Sequence, residues 1–568
     1  MTKNERKTKG LQRQRELQML LKQPGLVSII VVILAILVLF CIYPVLRLLY
    51  TCVTNTEGRF DLSSVLYVLE KTNIRIALWN SVKLGCVVGI LSTIIGYVFA
   101  FAIERTTMRG KRFFHVVAMF PILSPPFVIS LAMIVLFGRN GVITKQLLGI
   151  SNHNVYGFSS LVVVQTLAMF PLAYLNLEGM MESLDSSVEN AARSLGAGRW
   201  KVFTSVTLPL SIPAILSAFL IVFAKSLSDF GNPQVLAGDY AVLSVSAYTQ
   251  ITGLYNIRTG SFMAATILVP RLLAFFIQKY WVARKSFVTV TGKPVGKIDY
   301  ISEKYIVYPL FMICIILTSL IFLFYGTVIW VSIVKTWGVD MSLSLKNYSF
   351  VFQSGQGKRA LRDTFVLSLF STPITALLGM GISYLLVRKN FMGKKIMEIA
   401  TMIPFAVPGI ALGIGYVISF NQKPILLTGT AMIIVITLVF RTLSVGVEAG
   451  SNSLRAVDKS IEEASTILGA NNLTTFKRIS LPIMKTALFS GLLNAFVRSM
   501  TSVSAVIFLV SVRWNLLTIS IMSAIESNKL GLASAYCVML MAIIIVAIIF
   551  LDVIVDKVFG KKRHKHAA

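Results

Sequence analysis

Charge is what this chain of 568 residues has least of: Asp, Glu, Lys and Arg together make up 14% of it. Soluble domains carry about 25%, so there is too little polar surface here to clothe a water-soluble body. Histidine is nearly absent. His115, His153, His564 and His566 show no ligand spacing apart from the tail pair, which reads as a solvated basic end, so no metal site is expected. The five cysteines (Cys41, Cys52, Cys86, Cys314 and Cys537) form no CxxC pair and lie in or beside apolar stretches, which excludes a disulfide scaffold and leaves packing. A phosphate-cradling GxxxxGK[ST] loop is missing too, because Gly355-Gln356-Gly357-Lys358 is followed by Arg359. Acidic residues number 24 against 54 Lys and Arg. On a soluble protein that imbalance points to nucleic acid; here the positive-inside rule accounts for it, and no nucleic-acid partner is expected.

What is there is apolar: 55% hydrophobic residues and a mean hydropathy of +0.77. Roughly 20 apolar residues cross a hydrocarbon core. On that ruler twelve spans are expected, at 27–47, 81–103, 113–137, 158–177, 211–228, 261–282, 306–333, 364–387, 398–420, 429–449, 484–510 and 536–556. Prolines in the third and ninth spans are expected to be absorbed by bundle neighbours. With the amino terminus inside, inner segments hold about 32 Lys and Arg and outer loops about 14, which predicts cytoplasmic termini and a multi-pass protein of the cell (inner) membrane, surrounded by lipid.

The chain repeats itself. Gly110-Lys111, Pro121 and Pro125 recur 283 residues later as Gly393-Lys394, Pro404 and Pro408; beyond the fourth span the offset is 273, because the outer loop 139–157 is longer than its partner. Six spans separate the copies, so both halves enter the membrane in the same sense, as parallel repeats. The expected organisation is a basic tail (1–23), a first six-helix repeat (24–282), a polar cytoplasmic linker (283–305), a second repeat (306–557) and a basic tail (558–568). The fold class is all-α and polytopic.

The strongest motif is the inner loop after the fourth span of each half. One copy reads Glu189-Asn190-Ala191-Ala192-Arg193-Ser194-Leu195-Gly196-Ala197 and runs on to Leu208-Pro209; the other reads Glu462-Glu463-Ala464-Ser465-Thr466-Ile467-Leu468-Gly469-Ala470 and runs on to Leu481-Pro482. Asp185 and Asp458 precede each Glu by four residues. The pattern predicts a short helix with an acidic start, a glycine stop in the left-handed region, and a second helix leading into the next span.

These loops resemble the EAA–Gly loops of permease subunits in binding-protein-dependent ABC importers of the type I fold. In that family the loop is a coupling helix docked on a cytoplasmic ATPase, whose closure switches the bundle between inward and outward access. The resemblance implies an ATP-driven permease that is not itself an enzyme and binds no cofactor, with ATP and Mg used by a separate ATPase subunit, two copies being the economical number. It also implies an extracytoplasmic solute-binding protein. The coupling residues it implies are Glu189, Ala191, Ala192, Gly196, Ala197, Glu462, Glu463, Ala464, Gly469 and Ala470. Ser226-Leu227-Ser228-Asp229-Phe230-Gly231-Asn232-Pro233, with Ser286–Lys293 in the linker, is similar to fused permeases of ferric iron importers; phosphonate, other organic-anion and thiamine importers are the alternatives of the same class.

Ionisable residues within spans point to a substrate route. Lys225-Ser226 and Arg498-Ser499 match at the 273 offset, and with Asp229 they are the candidate pathway residues. Two matched cations suit an anionic or anion-escorted substrate. Arg271 and Arg441 have no counterpart and read as structural. A secondary transporter also fits twelve spans, but gives no reason for a duplicated EAA–Gly loop.

Overall fold

The computed structural model describes residues 23–54, 59–61, 70–150, 153–282, 299–458 and 460–559. Both basic tails (to residue 22 and from 560) and the linker residues 283–298, with the Ser286–Lys293 motif, lie outside them. In chain order the principal helices are α1 Pro24–Val53, α2 Thr72–Arg105, α3 Lys111–Leu123, α4 Val128–Phe137, α5 Phe158–Ser183, α6 Ser186–Ser194, α7 Leu208–Leu227, α8 Ile257–Phe276 and α9 Lys304–Ser332. The second half supplies α10 Gly355–Arg388, α11 Lys394–Ala406, α12 Gly409–Phe420, α13 Ala431–Arg455, α14 Ser460–Ile467, α15 Lys485–Met500, α16 Leu517–Glu526 and α17 Leu530–Phe559. Two antiparallel hairpins, Val334–Thr336 with Asp340–Leu343 and Asn421–Gln422 with Ile425–Leu426, are the paired strands among the described residues. Among the described residues ten helices are long and apolar enough to span a membrane, and twelve segments result when each of two bent pairs counts as one.

Pro121 and Pro404 are absorbed within α3 and α11, but Pro125 and Pro408 are not. α3 stops at Leu123 and α4 starts at Val128, with Ser124 extended (φ −92°, ψ 154°) before Pro125; α11 stops at Ala406 with Val407 extended (φ −89°, ψ 134°) before Pro408. A proline ring clashes with an α-helical residue before it, so both helices end at the same point of the repeat. α11 and α12 meet at 114°. The expected span 484–510 is also cut short: α15 ends at Met500, and residues 501–516 are irregular before α16.

The helices assemble into two compact units that cut across the repeats. Of the described residues, one takes those within Met1–Thr51, Lys358–Thr518 and Ala542–Ala568, and the other those within Cys52–Gly357 and Ile519–Met541. In the first, α1 packs on the second half of the chain: Leu37 and Cys41 share a core with Met397, Phe440 and Leu443, and Tyr416 Oη donates to Phe40 O at 2.8 Å. In the second, α9 packs on α4, and Tyr325 Oη meets Ser124 Oγ at 2.6 Å beside the proline break. Each half thus gives up its leading helix to the other half's unit. Pairing apolar spans by hydropathy carries no instruction for that exchange.

Candidate functional site

Both loops fold as the residue pattern requires. In the first, Asp185 caps α6, its Oδ1 accepting from Ser187 N at 2.9 Å; in the second, Asp458 Oδ1 accepts from Ser460 N at 3.0 Å. Gly196 and Gly469 stop the helices at φ +86° and +84°, a region that glycine enters without a Cβ clash. The N–H of Ala197 bonds to Ala192 O, and that of Ala470 to Ser465 O, both at 3.1 Å, the six-to-one closure of a left-handed helix stop.

The glutamates do more than face a helix dipole. Arg105, at the end of α2 and buried, donates from Nη1 to Glu189 Oε2 at 3.2 Å and from Nη2 to Met181 O at 3.1 Å. Thr207 Oγ1 donates to the other carboxylate oxygen of Glu189 at 2.7 Å. In the other unit Arg388, at the end of α10, donates from Nε to Glu462 Oε1 at 3.1 Å and from Nη2 to Leu454 O at 3.0 Å, and Ser480 Oγ donates to Glu462 at 2.9 Å. Arg105 and Arg388 are related by the 283 offset, Thr207 and Ser480 by the 273 offset. Aromatic rings repeat as well: Phe101 meets Phe203 at 5.4 Å, and Tyr384 meets Phe476 at 5.0 Å. Comparing the repeats position by position beyond the loops would have exposed Arg105 and Arg388.

What each lock leaves outside is apolar. Leu195 is 89% exposed and Leu468 87%, with Trp200 and Ile467 similarly bare. Ala191, Gly196, Glu463, Ala464 and Gly469 are exposed; Ala192, Ala197 and Ala470 are half-buried. Large apolar side chains so exposed beside a rigid turn mark an interaction surface.

The loops differ in one respect. Arg193 pairs with Asp299, and Arg199 with Glu303 at 2.8 Å and Asp299 at 3.4 Å, while Thr107 N and Arg105 O bond to the backbone of Ile301. The linker end 299–303 therefore straps the first loop, and hydrogen bonding from Arg199 holds the Glu303 carboxyl below the usual carboxylate range. At the 273 offset the second loop has Thr466 and Asn472 in place of these arginines.

The candidate pathway residues divide between the units. Asp229 Oδ2 accepts from Gln165 Nε2 at 2.9 Å and Asn232 Nδ2 at 2.8 Å; Ser226 donates to Gln165 Oε1 at 2.5 Å, and Ser130 to Asn232 Oδ1 at 2.7 Å. Lys225 is exposed at the end of α7. Ser499 Oγ accepts from Ser371 at 3.3 Å beside an exposed Arg498. The repeat preserves the cation and the serine but not the amide network, since Gln165, Asp229 and Asn232 correspond to Leu438, Ser502 and Ala505. Arg271 bonds to Ser228. His115, which shows no ligand spacing in the sequence, bonds through Nδ1 to Tyr174 Oη at 2.7 Å and Glu178 Oε1 at 2.8 Å. Among the described residues no three His, Cys, Asp or Glu side chains are grouped to hold a metal ion.

Residues 92–287 and 371–562 each match the family described as binding-protein-dependent transport system inner membrane component. The chain belongs to this family. Each match begins within the second span of its half and contains one duplicated loop, so the fold is that of a type I ABC importer permease built of two six-helix repeats in one chain. The chain is 34% identical over 564 residues to the ferric transport system permease protein FbpB of Actinobacillus pleuropneumoniae, covering 97% of this chain and 82% of that one. It is 35% identical over 497 residues to the putative ferric transport system permease protein FbpB 1 of Haemophilus influenzae, covering 86% and 78%. A shorter similarity, 34% over 160 residues, reaches the molybdenum transport system permease protein ModB of Escherichia coli, covering 27% and 69%.

Proposed function

We propose that this chain is the two-repeat permease of an ATP-driven importer of ferric iron. A solute-binding protein delivers the cargo at the outer face, and the bundle passes it inward by alternating access. ATP and Mg are used by a separate ATPase, two copies of which dock on the loops at Glu189–Ala197 and Glu462–Ala470; the chain itself catalyses no reaction and holds no cofactor. Both termini and the linker are cytoplasmic. The observation that carries the transport reading is the duplicated Arg–Glu–hydroxyl lock under an exposed apolar turn, because it couples each loop rigidly to a membrane helix. Ferric cargo rests on the two relatives that match over most of their length. The test is uptake of ⁵⁵Fe³⁺ by cells in which the chain is deleted and restored. Uptake that is unaffected by deletion, or that survives charge reversal of both Glu189 and Glu462, sinks the reading.

An oxyanion cargo is the second reading. The similarity to a molybdenum permease and the intramembrane arginines favour it, and loss of molybdate or sulfate uptake on deletion, with iron uptake intact, decides for it.

A further inference from the structure

Arg441 and Arg498 lie in the same compact unit, and their surroundings have the chemistry of an anion site. Arg441 is ten residues into α13, which at about 1.5 Å per residue sets it some 15 Å from the outer end of that helix, near the middle of a hydrocarbon core about 30 Å thick. A cation at that depth needs a partner or a polar cavity. Its one hydrogen bond among the described residues runs from Nη2 to Ser504 Oγ at 3.3 Å. The guanidinium lies against Gly409: a Cβ there would sit 2.7 Å from Nη2, 2.8 Å from Nη1 and 2.1 Å from Ser504 Oγ. Only a glycine lets the guanidinium and the Ser504 hydroxyl approach the backbone this closely.

Gly409 is also the first residue of α12, whose leading N–H groups have no acceptor within the helix. Arg498 stands on the last turn of α15, six residues before the Ser504 that Arg441 reaches. Neither arginine forms an ion pair with a carboxylate among the described residues. The chain then unwinds at 501–516 where the hydropathy predicts continued helix; irregular backbone at membrane depth persists where it is buried in protein or lines a polar cavity. Two hydroxyls nearby in the chain, Ser444 Oγ on the next turn of α13 and Ser502 Oγ in the unwound stretch, are buried with no hydrogen-bond partner.

We propose that Arg441, Arg498, Ser504 and the amino end of α12 form an intramembrane oxyanion site. A planar guanidinium matches two oxygens of a phosphate or carboxylate, and an anion between two arginines removes their mutual repulsion. A bare trivalent cation is repelled beside two guanidiniums, and among the described residues no three His, Cys, Asp or Glu side chains are grouped to hold one. The cargo therefore presents anionic oxygens, either as an oxyanion ligand carried on the iron or as a free oxyanion. This rests on the importer reading for its cargo, but not for the existence of the site.

The test is equilibrium binding of ³²P-orthophosphate and of ⁵⁵Fe–citrate to the intact transporter, purified in lipid nanodiscs with the subunits that accompany it. Arg441→Met and Arg498→Met are each expected to weaken phosphate binding at least tenfold, and Arg441→Lys, which keeps the charge and the stem but loses the fork, at least threefold. Iron retained only with citrate or phosphate present, and lost in the Met variants, assigns the oxyanion to the metal. Phosphate binding that depends on both arginines in a transporter that moves no iron leaves the site standing and removes the ferric reading. Phosphate binding unchanged within twofold in the Met and Lys variants overturns the proposal, as does absence of phosphate and ferric citrate binding by the wild type at millimolar concentration.

Discussion

Arg388→Met should open the second coupling loop without unfolding the bundle. At 3.1 Å and an effective dielectric constant of about 20, the attraction between Arg388 and Glu462 is about 5 kcal/mol before desolvation is set against it. Removing one partner of a buried pair costs about 3–5 kcal/mol. Glu462 keeps the Ser480 hydroxyl and retains some access to solvent, so the lower end, about 3 kcal/mol, is expected. Since α14 is joined to the bundle by this pair and by its flanking backbone, the loss should appear as local opening. Amide exchange at Leu468 and Ala470, whose N–H groups close the glycine stop, should accelerate about 100-fold, at about 1.4 kcal/mol per decade. Arg105→Met should accelerate Leu195 and Ala197 less, because Asp299 and Glu303 still strap the first loop. A double-mutant cycle with Glu462→Gln should return a coupling of about 2 kcal/mol. Acceleration below threefold, or a coupling near zero, refutes the lock.

Three further outcomes follow from the same geometry. Leu195→Asp and Leu468→Asp alter side chains almost wholly in solvent, so expression and melting should be unchanged while co-purification of the ATPase falls at least tenfold; retained co-purification places the docking surface elsewhere. Glu303 titrates below its ordinary range of about 4.3; its folded pKa is depressed, so its contribution is present at neutral pH and lost as pH falls through that lower value. The stability difference between wild type and Glu303→Gln should accordingly be constant from pH 7 to 5 and shrink below the ordinary carboxylate range, as thermal melts in detergent would read. In intact cells an impermeant thiol reagent should label Leu254→Cys and spare Leu195→Cys in a cysteine-free background, and the reverse result would invert the proposed topology.

The sequence by itself determined the class, the duplication and the two loops, because each rests on local physics, and it placed the apolar segments, of which ten are single spanning helices and two are bent pairs among the described residues. A hydrophobic run must cross lipid, a capping Asp must start a helix, and a glycine alone stops one at φ near +85°. Span ends were legible to within about ten residues, the second and eighth helices starting earlier than expected at Thr72 and Gly355 and α15 stopping short at Met500; the bends at Ser124 and Val407 were not legible, since a proline's effect depends on whether neighbours can satisfy the freed backbone. The tertiary structure decided what lies across the chain. The Arg105–Glu189 pair joins residues 84 apart and the Arg388–Glu462 pair residues 74 apart, and only packing shows that each glutamate is held by a buried cation at the end of a membrane helix. The exchange of α1 and α9 between the halves, and the approach of Arg441 to Gly409, are equally invisible to composition and spacing. An unmatched arginine reads as structural until the helix break at Pro408 brings an open helix end beside it, because the burial of a charge is a property of its three-dimensional neighbours.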